Sequence, residues 1–560
     1  QSFDSGAGPC IAAMTIFISM LLAVALAAAA HGVAAEGSEP SRWRGFGQGS
    51  GCGKAVTAKA REETQGHQVA SVDACKAMCE GLSSGTCTGV EYSATKSSCI
   101  LLSEQVKYTR LAPGKECWSM ASDVVSHSTE VFIMMPLDAI SPDGSITDPV
   151  GLPKMLDAMK WAGVDGFMVD VWWGITEKSP KVYNFSAYHA LFEYARERNW
   201  KVQAVASFHQ CGGNVGDACN ILLPDFVYQA KGIWYKDADG VEDREYISLF
   251  ADEVVVGDRT PLQMYEDWMA AFAAAFSADL GSLVQEVMVG MGPCGELRYP
   301  SYRLSHWNYC GHGEFQCYDQ HALQLLSTIA TAVGRPDWGL PPNKTNVGGY
   351  SSYPHDNEFF TTGFKEDYGK FFLDWYSSAL KDHGRRVLGK AQEVFQNKLA
   401  ISGKVAGIHW WYGHDSHAAE ATAGYYNTNS RNGYAEIARV FKEHGASLDF
   451  TCLEMVTEID EKSQECHSNP EGLIAQVVEA TAALGLPFSG ENALQRYDEA
   501  AYTQMASHRE HLHGLTYLRL NWELTRDDNL KRFKDFTTTM HGGPSEDDTK
   551  KVALRGATRL

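Results

Sequence analysis

From Val131 to Leu520 the apolar positions gather into eight compact runs, separated by longer stretches with helical spacing. The runs are VFIMMPL from 131, VDGFMVDVWW from 164, VQAVASF from 202, VQEVMVG from 284, VAGIHWW from 405, LDFTCLEM from 448, LPFSGEN from 486 and GLTYLRL from 514. Runs of this length, apolar almost throughout, read as strands buried on both faces. Between them, PKMLDAMKWAG and FSAYHALFEYARERNW repeat apolar residues every three to four positions, as amphipathic helices do. Eight β/α alternations predict an α/β fold, a (β/α)8 TIM barrel with inserted loops. The interval between the fourth and fifth runs is too long for one helix and predicts an inserted subdomain. A doubly wound open sheet is the alternative, but no GxGxxG follows the first run.

The N-terminal pattern is different. Cys10 to Ala30 is an unbroken apolar run, followed by small residues at Val33 and Ala35. This predicts a secretory signal over residues 1–35, with a membrane anchor as the alternative. The flank carries Asp4 and no Lys or Arg, and Met14 offers a second start. Six of the fourteen cysteines, Cys52, Cys75, Cys79, Cys87, Cys99 and Cys117, then fall within one short stretch. Such density predicts a small disulfide-rich module over 45–120, which needs an oxidising compartment. A zinc site is the weaker reading, because no second C-x2-C knuckle completes a tetrahedral set. The barrel domain is expected over 128–545 and a short tail over 546–560. The sequons at Asn184 and Asn343 would be usable along a secretory route.

A net charge of −21, with Lys and Arg scattered, argues against nucleic acid or an anionic membrane as partner. A neutral, hydrated partner fits better. In a barrel of this kind the chemistry sits where strands run into loops at the C-terminal face. Reading the ends of the runs gives Asp138, Asp170, His209, Glu296, His409, Thr451 with Glu454, Glu491 and Arg519, beside Trp172, Trp173, Trp410 and Trp411. Two glutamates across one aromatic mouth suit glycoside hydrolysis, one as proton donor and one as base or nucleophile. The plainer reading makes each a structural ion-pair partner, of Arg298 or Arg496.

Other chemistries find less support. His209 and Cys211 could form a nucleophilic pair, but nothing around them resembles acyl transfer. His409, His414 and His417 invite a metal, yet no HExxH accompanies them, and sugar contact or core packing suits them better. CGGNVGDAC, with three glycines and Asp217, has the composition of a mobile lid or of an ordinary Gly-rich loop.

The stretches GPCGELRYPSY, GENALQRYD, MVDVWWG, SFHQCGGNVGD, GIHWWY, HAAEATAGYYN, FTCLEM and TYLRL, spread over about 130 to 540, strongly resemble the β-amylase family. DACKAMCE, GTCTGVEY and KSSCILL resemble a PAN/Apple module, a fold that binds proteins or glycans. The first resemblance implies an inverting exo-hydrolase that releases β-maltose from the non-reducing ends of starch, amylose and maltodextrins, without cofactor or metal. It implies Glu296 as general acid and Glu491 as general base. Asp170, His209, Asp217, His417, Thr451, Asn492, Ala493 and Arg519 become substrate contacts. Inversion needs a water between base and sugar, hence carboxyl groups roughly 6.5 to 9.5 Å apart, and Glu296 must hold a proton while Glu491 stays ionised.

Two departures stand out. Gly413 occupies the position after HWWY where many members carry lysine, and Gln495 stands where proline is usual. The segment after MHGG, ending TKKVALRGATRL, is unlike the tail of plant members. Alternatives of another class are a non-catalytic glucan sensor and a secreted carbohydrate-binding protein led by the cysteine module. For localisation, a secreted protein is expected, with a plastid reached through a bipartite leader as the alternative.

Overall fold

The computed structural model describes residues 128–543 except 215 and 458–461, and the backbone of five strands between 43 and 120. The chain divides into two compact units, Gln1–Val125 and Ser126–Leu560. In the first, Trp43–Cys52, His67–Gln68, Gly89–Ser93, Ser98–Leu102 and Thr109–Met120 form one sheet. Its longest pair runs antiparallel from Trp43↔Met120 to Cys52↔Thr109. The expected leader over 1–35, the tail over 546–560 and the side chains of the six clustered cysteines lie outside the described residues.

The second unit is a closed parallel barrel. Its strands are β1 (Glu130–Met134), β2 (Gly166–Trp172), β3 (Lys201–Ser207), β4 (Val284–Val289), β5 (Ala400–Val405), β6 (Ser447–Phe450), β7 (Phe488–Glu491) and β8 (Gly514–Tyr517). Gly514 pairs with Glu130, closing β8 onto β1. Along each strand the side chains alternate between two layers. Met134, Met168, Val205 and Met288 fill the barrel interior, while Val131, Ile133, Val169, Val171, Val287 and Val289 pack outward against helices. Seven of the eight apolar runs match their strands, β1, β3 and β6 beginning one residue earlier than the run. The fifth does not: β5 is AISGKV and ends at Val405, where the run was expected to begin, and HWW lies in the loop beyond.

The principal helices are α1 (Gly151–Ala162), α2 (Ser186–Glu197), α3 (Pro261–Ala275), α4 (Gln320–Ala332), α5 (Asp367–Phe395), α6 (Gly433–Glu443), α7 (Pro470–Leu484), α8 (Glu499–Ser507) and α9 (Asp527–Met540). Local chemistry sets their ends. Thr260 and Gln263 form a capping box at the start of α3, with Pro261 first in the helix, and Gly163 ends α1 at φ 90°.

Two insertions shape the catalytic face. A hairpin of Trp234–Lys236 and Glu242–Ile247 stands between β3 and β4. Helices α4 and α5 occupy the long interval between β4 and β5. A Cys310–Cys466 disulfide ties that insertion to the loop between β6 and α7. Among the described residues no helix is long and apolar enough to cross a membrane.

Candidate active site

A cavity of about 710 Å³ opens at the C-terminal ends of the strands. Asp170, His209, Asp217, Glu296, Thr451, Glu491, Asn492, Ala493 and Arg519 all line it. His417 does not. Its Nδ1 meets Glu420 Oε2 at 2.5 Å and its Nε2 meets Asn429 Oδ1 at 3.2 Å, so it serves packing in the loop after β5. Of the four tryptophans named from sequence, Trp410 lines the cavity with Tyr302, Trp307 and Tyr309. The other three are buried: Trp172, Trp173 and Trp411 donate their indole N–H to Leu137 O, Glu177 Oε2 and Cys310 O.

Glu491 is the last residue of β7 and is fully buried. Lys404, from β5, pairs with it. Burial pushes the Glu491 carboxyl up and Lys404 opposes this. Burial also works against the Lys404 ammonium, yet Glu491, Glu296 and Asp449 together hold it above its ordinary value. A buried charge is retained where such partners surround it. Lys404 escaped the sequence reading, although a lysine inside a barrel strand is itself a signal.

Glu296 stands on a turn rather than a strand. Pro293–Gly295 make one 3-10 turn, with Cys294 left-handed at φ 55°. Leu297 N–H then donates to Lys404 O at 2.8 Å, so this segment continues the ladder beyond β4 and sets Glu296 beside β5. Arg298, 1% exposed, donates through Nε to Glu296 Oε2 at 2.5 Å, through Nη1 to Tyr299 O and through Nη2 to Asn214 Oδ1 at 3.3 Å. Its Cζ lies 4.3 Å from the Tyr302 ring centroid. The Arg298 pairing foreseen as the plainer reading is therefore present inside the cavity itself. Arg496 instead pairs with Asp498.

Asp217 approaches this turn from the loop after β3, its Oδ2 lying 3.6 Å from Cys294 Sγ. Gly212, Gly213 and Gly216 take positive φ there, at 110°, 102° and 83°. A Cys211–Cys219 disulfide, which the glycines did not announce, closes this loop into a ring. That bond also removes Cys211 as a nucleophile.

The remaining contacts fasten neighbouring loops. Ser207 Oγ donates to Asp170 Oδ1 at 2.8 Å; burial pushes this carboxyl up, against Arg519 and Ser207. Burial, with Lys404 and Arg298 nearby, pushes His209 down to about 3, so its imidazole is neutral. Thr451 Oγ1 accepts Gly407 N–H at 2.7 Å, and a Cβ on Gly407 would meet Cys452 Sγ at 2.4 Å. Glu454 accepts the N–H groups of Ala493 and Leu494 at 2.9 and 2.7 Å. Asn492 bonds both N–H and C=O of Leu518, and Arg519 Nη1 donates to Met135 O. Gly413 donates its N–H to His467 O and is not a lining residue, whereas Gln495 and Lys462 are. Among the described residues no cluster of three or more His, Cys, Asp or Glu could hold a metal ion.

An open cavity with two carboxyl groups, the Lys404 ammonium acting on both and an aromatic wall can protonate a leaving oxygen and activate a water across a sugar ring. Comparison with known proteins points the same way. The model of Glycosyl hydrolase family 14 matches residues 132–545, and that of the PAN domain matches 54–123. The chain is 46% identical over 429 residues to Beta-amylase 2, chloroplastic, of Oryza sativa subsp. japonica, covering 73% of this chain and 76% of that protein. It is 44% identical over 437 residues to Beta-amylase 1, chloroplastic, of Arabidopsis thaliana, covering 74% and 76%. The catalytic domain of a β-amylase from Paenibacillus polymyxa superposes with a TM-score of 0.63 at 28% identity, covering 75% of this chain and all of that one. The chain belongs to glycosyl hydrolase family 14, the β-amylases.

Proposed function

We propose that the cavity takes the non-reducing end of an α-1,4-glucan such as starch, amylose or a maltodextrin. Glu296 protonates the glycosidic oxygen and Glu491 draws a proton from water on the opposite face, releasing β-maltose with inversion. The observation that carries this reading is the placement of both glutamates on one cavity with Lys404 interacting with each. Arg298 holds Glu296 Oε2, which leaves Oε1 as the oxygen to meet the glycosidic oxygen. The Lys404 ammonium favours the charged form of Glu491, as a base requires. Asp170, Asp217, Asn492, the Ala493 backbone and Arg519 would meet sugar hydroxyls, and the Trp410 and Tyr302 faces would pack on glucose rings.

Anomer-resolved NMR with maltoheptaose tests the assignment. Early β-maltose is expected, with Glu296→Gln and Glu491→Gln each lowering kcat by about 10²- to 10⁴-fold. Retained binding without product in the unaltered chain would favour a glucan sensor instead.

The PAN module would supply a protein or glycan ligand site. Its clustered cysteines favour an oxidising route, while the chloroplastic relatives favour a plastid; a bipartite leader satisfies both. Localisation of a fluorescent fusion decides between plastid and extracellular destinations.

A further inference from the structure

Glu245 is a buried carboxyl that the reaction above leaves without a task. It lies on the hairpin strand Glu242–Ile247, outside the barrel, and is 7% exposed. Three segments of the site meet it. Its Oε1 accepts the Cys294 N–H at 3.0 Å, two residues before Glu296. Its backbone C=O accepts the Gln210 N–H at 2.8 Å, immediately before the disulfide ring begins at Cys211. Its carboxyl also faces Asn214 and Asp217 inside that ring, and Arg298.

The Cys211–Cys219 bond fixes the ring on itself but not its seat against the turn that carries Glu296. That seat consists of the Arg298 to Asn214 bond, the Asp217 to Cys294 contact and the two bonds to Glu245. We propose that Glu245 is a positioning residue that registers the ring 211–219 and the turn 293–296 onto each other, and so aims Glu296 and Asp217 together at the sugar.

The left-handed Cys294 presents its N–H to Glu245, and an unpaired buried N–H would cost enough to shift the turn. Asp243 braces the strand from behind: its Oδ1 accepts the Glu245 N–H at 2.9 Å and its Oδ2 pairs with Arg303 at 2.8 Å. Burial, then Asp243, pushes the Glu245 carboxyl up to about 8, with Arg298 and Asn214 opposing. A carboxyl raised that far is mostly neutral near pH 7 and works here through its oxygen's position more than through its charge.

The inference rests on Glu296 being the acid, so its test needs one readout that ignores activity. Glu245→Gln, Glu245→Asp and Glu245→Ala in the full chain are compared by kinetics on maltoheptaose and by hydrogen exchange over 210–219 and 293–297. Gln keeps an acceptor at the reach of Oε1, whereas Asp keeps the charge but draws it back by one methylene. The expected order of kcat/KM is therefore Gln, then Asp, then Ala, with Ala down about 100-fold. In Ala, KM rises and kcat falls together, and exchange quickens in both segments. An order with Asp above Gln would overturn the proposal in favour of a charge role. So would wild-type kcat, KM and exchange in folded Ala. If Ala does not fold, the Gln and Asp pair alone decides. An unaltered chain inactive on glucan would sink the assignment of Glu296 while leaving the exchange result to judge the seating.

Discussion

Glu491 ends a strand of the barrel wall, whereas Glu296 stands beyond the end of its strand, on a turn held by the hairpin and the disulfide ring. The two sides of the cavity are built differently. On the side of the proposed base, Lys404 and Glu491 come from β5 and β7 and share the wall with Asp449 of β6, a carboxyl that burial and Glu491 raise well above its ordinary value. On the side of the proposed acid, Arg298 reaches from its own turn to the disulfide ring, and Glu245 reaches in from a hairpin. A base must hold one water in line, which favours a rigid support. An acid must meet an oxygen that arrives with the substrate, which suits a support made of docked loops.

The contrast can be broken most severely at Lys404. Lys404→Met should leave Glu491 buried without its cation, costing about 3–5 kcal/mol of stability by chemical denaturation. Since Lys404 opposes the upward push of burial on Glu491, its loss raises that carboxyl further. The acidic limb of the kcat/KM profile, which reports the base, should move to higher pH. An unmoved limb would mean that Lys404 does not set the base.

Arg298→Lys is the matching change on the acid side. Lysine keeps the charge but cannot serve Glu296, the Tyr299 carbonyl and Asn214 from one plane. The loss in kcat/KM should be on the order of 10- to 100-fold, from misplacement of a catalytic group. Its stability loss should be smaller than that at Lys404, because the charge is retained. Equal stability losses in the two variants would erase the distinction between wall and loops.

The same contrast explains what could be read along the chain. β1 and β2 are apolar almost throughout because both faces of a parallel barrel strand are covered, and such runs announce themselves. β5 was misplaced because AISGKV spends Ser402 and Lys404 on the interior, Ser402 donating to Glu286 and Lys404 pairing with Glu491. Site chemistry there overrides the apolar pattern. Glu296, Glu491 and the neighbouring Arg298 were legible in GELRYP and GENAL, but the remaining supports were not, since Glu245 and Cys294 meet only after folding across a wide sequence separation. Cys211 and Cys219 sat in plain view, yet a Gly-rich composition speaks for flexibility and is silent about a covalent closure. His417 misled because polar residues after a strand can bind a neighbour, here Glu420, as readily as a ligand.

Opening the ring should have a moderate effect. Cys219→Ser removes a bond spanning eight positions, worth about 2.5 kcal/mol by chain entropy. The ring's docking contacts remain, so KM should rise only about threefold to tenfold, with kcat nearly unchanged. A kcat loss as large as that of Arg298→Lys would show that the bond, rather than the docking, aims the acid.

The pH dependence of stability separates the two sides by sign. Glu245 is raised to about 8 in the folded state, so its contribution is fully present below its unfolded value near 4.5 and is lost as pH rises through about 8. His209 is depressed to about 3 by burial, then by Lys404 and Arg298; its contribution is present above about 6.5 and is lost as pH falls towards 3. Glu245→Gln should therefore flatten the decline in stability between about pH 4.5 and 8 and leave the acid side alone. His209→Gln should do the reverse, sparing the neutral range and softening the loss between about pH 6.5 and 3. Urea denaturation midpoints measured every half pH unit would resolve the two slopes. If both substitutions changed the same limb, the acid and base supports would be one electrostatic unit, and the division between a rigid wall and docked loops would not survive.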